Sequence, residues 1–103
     1  MLVLDPKLNT STEEFTADYS YDLNEGVTIN SAIWSLNPVV GTDPNAAAMR
    51  LGSPTISGTE VTQLITGGKP GVTYNILCLA TTSDGQVLPK YAQFSVTSIV
   101  SAQ

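Results

Sequence analysis

A chain of 103 residues, 42% of them hydrophobic, is long enough for one core, and that apolar content excludes general disorder. The net charge is −5, and the four basic residues, Lys7, Arg50, Lys69 and Lys90, are scattered, so no basic stripe exists for nucleic acid or an anionic membrane. No apolar run is long enough to span a bilayer.

In chain order, residues 2–4 read as a short edge strand ended by Asp5-Pro6. This start has neither a basic residue nor an apolar stretch of signal-peptide length, so synthesis in the cytoplasm without export by the general route is expected. Asn9, Thr10, Ser11 and Thr12 are turn formers, and residues 1–12 are assigned to an N-terminal arm ahead of a domain over 13–103. Over residues 14–22, Phe15, Ala17, Tyr19 and Tyr21 alternate with Thr16, Asp18, Ser20 and Asp22, which predicts a strand ended by Asn24-Glu25-Gly26. Val27 and Ile29 begin a second apolar segment. Ala32, Trp34 and Leu36 continue it on one face with Ile33 on the other, and Pro38 is expected to stop it. Residues 39–45 read as a loop. The run Ala46-Ala47-Ala48-Met49, bounded by Pro44 and Gly52, predicts a short helical turn or an irregular strand. Ile56, Val61, Leu64 and Ile65 suggest one or two further strands, broken at Ser57-Gly58.

Residues 66–96 carry the strongest pattern. Gly67, Gly68 and Gly71 around Pro70 predict a tight corner. Tyr74, Ile76, Cys78 and Ala80 then alternate with Asn75, Leu77, Leu79 and Thr81 as a strand. Asp84-Gly85 predicts a two-residue reversal, and Ala92, Phe94, Val96 and Val100 an apolar face on the returning strand.

Short strands with turn signals about every ten residues predict an all-β fold, an immunoglobulin-like antiparallel β-sandwich of about seven strands. Trp34 on a middle strand should face Cys78 on a late one. Tyr74, just past a glycine corner, can bond back to the backbone of the preceding connection. Phe15, Tyr19, Trp34, Tyr74, Ile76, Cys78, Phe94 and Val96 are the expected core.

The chemistry of a reaction centre is missing. With no histidine and one cysteine, Ser-His-Asp and Cys-His arrangements, thiolate metal sites and an internal disulfide are all impossible. Cys78 reads as a small buried hydrophobe. Gly67-Gly68-Lys69-Pro70-Gly71 lacks the spacing of a phosphate loop. Asp18, Ser20, Asp22 and Asn24 resemble alternating calcium ligands, but Leu23 and Ile29 stand where that loop needs glycine and glutamate, so a solvated strand face is expected. Glu13-Glu14 reads as a solvated edge, and Asn9-Thr10-Ser11 as a chance match to a glycosylation acceptor. No catalytic, cofactor-binding or metal-ligating residue is assigned, and an enzyme is not expected. Only 13% of residues are charged, which hints that much of the surface meets other protein.

The order of Asp5-Pro6, Asp18-Tyr19, Asn24-Glu25-Gly26, Thr28-Ile29, Ser31 with Trp34, Gly67-Gly68, Gly71 with Tyr74, and Thr81-Thr82-Ser83 with Gly85 resembles the phage fiber–tail adaptor family, small immunoglobulin-like virion proteins of tailed bacteriophages. The resemblance implies a structural component of the virion, an adaptor joining tail or neck to fibers or other tail-end proteins. It implies partners among tail, neck, fiber or capsid proteins and a homo-oligomer in the assembled particle. It also implies an N-terminal arm that orders on contact with a neighbour. Two other readings stay open: a capsid decoration or stabilising protein, and a ligand-binding immunoglobulin-like module of a bacterial surface protein using exposed Tyr21 and Tyr91.

Overall fold

The computed structural model describes residues 2–4 and 6–98, so Val100 lies outside the described residues. The chain is built from strands: β1 (Leu2–Val3), β2 (Lys7–Leu8), β3 (Thr12–Asp18), β4 (Ile29–Val40), β5 (Arg50–Ser57), β6 (Glu60–Thr66), β7 (Thr73–Thr82) and β8 (Val87–Thr97). Among the described residues a single 3-10 turn, Ala46–Met49, interrupts them, and it buries Ala46 and Met49. One sheet has the order β1-β8-β7-β4, with β2 also paired to β8, and the other has the order β3-β6-β5. Counted as one interrupted edge strand, β1 and β2 bring the total to seven. The order is compatible with an immunoglobulin-like sandwich, in which the middle strands of one sheet come late in the chain.

The two inner faces make one core. Trp34, Leu36, Tyr74, Ile76, Cys78, Ala80, Ala92, Phe94 and Val96 come from the larger sheet, and Ala17, Val61 and Ile65 from the smaller. Across the interface the Phe15 and Phe94 rings lie 5.1 Å apart, and Phe94 stacks on Tyr74 at 5.5 Å. Trp34 is the register partner of Cys78, as its spacing predicts, and the pair lies within one sheet. Tyr74 also does what its place after the corner predicts. Its hydroxyl accepts the Lys69 N–H at 2.9 Å and donates to Asp43 Oδ2 at 2.6 Å. Gly67, Gly68 and Gly71 all have positive φ. Gly68 is the demanding one, because a Cβ there would lie 2.7 Å from Val96 Cγ2.

Three expectations are corrected. The strand predicted over 14–22 spans Thr12–Asp18 and stops before the Asn24-Glu25-Gly26 turn. Asp18 Oδ1 accepts the Ser20 N–H at 2.8 Å, and the Asp22 N–H closes a turn onto Tyr19 O. That local side-chain bond competes with the ladder. Tyr19 therefore remains in the core, whereas Tyr21, predicted on the same face, is 98% exposed. Second, Pro38 does not stop its strand. β4 runs on to Val40, so part of the predicted loop over 39–45 is strand, with a register shift just after Pro38. β4 is an edge strand, where a missing N–H costs no ladder bond.

Third, the β7–β8 reversal is not a two-residue turn. Thr82 N–H bonds Gln86 O, leaving Ser83, Asp84 and Gly85 as a three-residue loop. Only Gly85 takes positive φ there, whereas a type I′ turn would also force Asp84 to do so. The Thr82 hydroxyl bonds the Asp84 carboxylate and closes the loop. The break at Ser57-Gly58, in contrast, is a two-residue hairpin, with Gly58 at φ +59 between the paired Ser57 and Glu60. Lys7, one of the four scattered basic residues, has a place that the sequence does not announce. It is only 1% exposed, and its ammonium donates to Leu8 O (3.0 Å), Ser11 O (2.5 Å) and Gly67 O (2.8 Å). It fastens β2 to the start of β3 and to the glycine corner.

Buried Gln63 repairs a second irregularity. Its Nε2 lies within 3.2 Å of the carbonyl oxygens of Leu51, Gly52 and Leu64, where a register shift between Leu51 and Thr55 interrupts the β5–β6 ladder. The molecule measures 54 × 23 × 22 Å. At about 3.3 Å per residue, the twelve-residue β4 can only lie along the long axis.

Candidate docking surface

Successive strand residues face opposite ways, so the register fixes which side chains share a surface. On the outer face of the larger sheet, Ile33 lies beside Leu79 and Leu79 beside Pro89. The next row is Ser35, Leu77 and Tyr91, followed by Asn37, Asn75 and Gln93. Ser31, Thr81 and Val87 complete one end, and Thr73 with Ser95 the other. No residue in these rows is charged. Ile33 (65% exposed), Val87 (58%) and Tyr91 (56%) project from it. An uncharged face with an apolar centre loses little solvation when another protein covers it.

The smaller sheet differs. Its outer face carries Glu14, Asp18 and Glu60 beside Leu51, Leu64 and a ladder of threonines, in which Thr12 bonds Thr66 at 2.8 Å and Thr16 bonds Thr62 at 3.0 Å. The two broad faces are therefore chemically distinct, one uncharged and one acidic.

Of the acidic residues singled out in the sequence, Asp18, Asp22 and Glu13 have structural partners. Asp22 pairs with Lys90 at 2.8 Å, and the Lys90 ammonium lies 5.5 Å from the centre of the Tyr19 ring. Asp18 holds its turn, and that bond from the Ser20 backbone keeps its carboxyl below the usual range. Glu13 and Glu14 point to opposite faces, and Glu13 accepts the Ser11 hydroxyl at 2.7 Å. Among the described residues no group of three or more histidine, cysteine or carboxylate side chains is placed to hold a metal ion.

The remaining perturbed groups are fold elements. The buried Tyr19 hydroxyl sits 3.0 Å from both Cys78 O and Leu88 O, and burial pushes its ionisation well above the ordinary phenol value. Burial and the Asp43 bond push Tyr74 up to about 12, and the same bond draws Asp43 below the usual carboxylate range. Burial also raises the Cys78 thiol, which suits an inert core residue.

A family model described as podophage GP4 fiber-tail adaptor protein gp77 matches residues 7–94. The chain belongs to this family. No curated protein matches it. Membership gives the fiber–tail adaptor a structural role in the phage tail and a place in the virion. Among the described residues no helix is long and apolar enough to cross a membrane. Several residues that carry the sequence resemblance have visible structural work. Tyr19 bridges the sheets, Gly68 admits Val96, Tyr74 ties the corner, and Thr82 with Gly85 closes the last hairpin. The uncharged face had a trace in the sequence, since odd positions from 73 to 81 and from 87 to 95 carry no charge. Only the register merges them with Ile33 into one surface.

Proposed function

We propose that this adaptor joins tail or neck to fibers or other tail-end proteins purely through protein–protein contacts. It has no reaction of its own and is present in several copies per particle. The observation that carries this reading is the uncharged outer face of the β8-β7-β4 sheet, with Ile33, Leu77, Leu79 and Tyr91 at its centre. A protein of net charge −5 that keeps one whole broad face free of charge has a surface suited to being covered. Family membership supports the tail as the place where that happens.

Quantitative mass spectrometry of purified particles tests the location. A few to a few tens of copies fit a tail or neck ring, and hundreds would move the chain to the capsid surface. Ile33→Asp and Tyr91→Asp lie on the exposed face, so both variants should fold and yet be lost from particles. Incorporation of both at the parental level would overturn the assignment of this face.

A further inference from the structure

A sandwich of two open sheets has strand edges, and unpaired edges invite unwanted pairing unless something blunts them. Here almost every edge carries a proline. β4 has Pro38 and two register shifts, and β5 has Pro54 with Gly52 and a register shift. β1 and β2 are two residues each with Pro6 between them, and the stretch of β8 beyond them contains Pro89. β3 is the exception. It is seven residues long, pairs with β6 without a register shift and contains neither proline nor glycine.

The alternation of the β3–β6 ladder shows which groups are free. Ser11 O accepts Gly67 N–H and Tyr19 N–H bonds Thr59 O, so odd positions face β6. The N–H and C=O of Thr12, Glu14, Thr16 and Asp18 consequently point away from β6, over an edge about 23 Å long at 3.3 Å per residue. Beside that edge, between β3 and β8, lies a cleft of about 710 Å³. Leu4, Phe15, Ala17, Trp34, Ile76 and Ala92 give it an apolar lining. The buried Trp34 indole N–H has no partner among the described residues.

We propose that the β3 edge and this cleft receive an extended segment of a partner protein, which adds a fourth strand to the β3-β6-β5 sheet. The segment alternates apolar side chains, which fill the cleft, with lysine or arginine on the outward positions. The charge pattern selects this occupant. Glu13, Glu14 and Asp18 line the cleft, and its one basic residue, Lys90, is already paired with Asp22 at 2.8 Å. A second copy pairing edge to edge would set those carboxylates against one another, which disfavours self-association. A basic strand meets them favourably, and main-chain bonds supply the rest of the affinity. The identity of the partner as a virion protein rests on the adaptor reading above, whereas the slot itself does not.

The test is a binding titration of the purified chain with a labelled synthetic nonapeptide, valine at even positions and lysine or threonine at odd ones. Binding should weaken at least tenfold for Thr16→Pro, which removes only an N–H aimed away from β6. It should weaken similarly for Glu14→Lys, and for the parent protein with a peptide N-methylated on alternate residues. A peptide with glutamate in place of lysine should prefer Glu14→Lys over the parent. Urea midpoints establish that each variant is folded, and the methylated peptide decides the matter if Thr16→Pro is not. Equal binding to all forms, or no binding to the parent at millimolar peptide, would overturn the proposal. Particle content is scored separately. A parental chain missing from particles sinks the adaptor reading alone. Thr16→Pro present at the parental copy number with its partners in place sinks the β3 slot alone.

Discussion

Replacing Lys7 by methionine keeps most of the side-chain stem and removes the ammonium. Three carbonyls lose a charged donor, but they do not lose equally. Leu8 O still accepts the Ser11 N–H (3.1 Å) and hydroxyl (2.9 Å), and Ser11 O still accepts the Gly67 N–H (3.2 Å). Gly67 O has no other partner among the described residues, so it alone is orphaned in a half-buried corner. One unsatisfied acceptor costs about 1–3 kcal/mol, and release of the desolvated ammonium keeps the total near that range. Lys7→Ala also deletes three methylenes, worth about 0.8 kcal/mol each, for a total of about 3–5 kcal/mol.

Urea unfolding followed by Trp34 fluorescence measures both, since the indole is buried and is the only one in the chain. The slope should be unchanged and the midpoint lowered, more for alanine than for methionine. Amide exchange adds a local readout. Leu4 N–H and Asn9 N–H, which bond Gln93 O and Thr97 O, should lose protection in Lys7→Met before the core amides do. A Lys7→Met protein as stable as the parent within about 0.5 kcal/mol, with Leu4 and Asn9 still protected, would refute the role given to the ammonium.

Three further outcomes are expected. Trp34→Ala should lose about 3–5 kcal/mol in the same denaturation experiment, because the 4%-exposed indole lies between the sheets. Gly68→Ala should cost about 2–3 kcal/mol, since its Cβ would meet Val96 and Met49 within 3 Å at φ +108, and a thermal melt would show it as a clear drop in Tm. Stability should also fall steeply above pH 10. The unfolded-state tyrosines lose protons there while buried Tyr19 and Tyr74 keep theirs, so the unfolded state is favoured by about 1.4 kcal/mol per pH unit for each. Lys7, lowered by burial, acts in the opposite sense just below its ordinary value of 10.5. Denaturation at pH 9 and pH 11 measures the difference, and Tyr19→Phe should remove about half of the loss.

Much of the sandwich could be read from period-two alternation, because β6 and β7 each bury one face and expose or half-expose the other, and β3 buries Ala17 and half-buries Phe15 on one side. The errors cluster where a non-local or side-chain term decides. Whether Pro38 ends a strand depends on where that strand sits in the sheet, and nothing in the local sequence states it. The end of β3 is set by the Asp18 carboxylate bonding the Ser20 backbone, with no glycine or proline at that point to mark it. Nothing beside Lys7 in the sequence marks it for burial, because its acceptors come from residues 8, 11 and 67. The candidate surface was half visible. Neutral residues at alternate positions stand in the sequence, but three strands distant in the chain must align before they form one face. The proline-free β3 edge was less visible still, because an edge is defined by which neighbour is missing.

The long, slender outline of this protein has a mechanical consequence. With strands running along the 54 Å axis, a load applied between its two ends would slide β4, β7 and β8 past one another. Bonds loaded in that way must rupture together, whereas a crosswise pull would peel them one at a time. The fold is therefore a tether that resists stretching along its length and yields more readily to sideways prying.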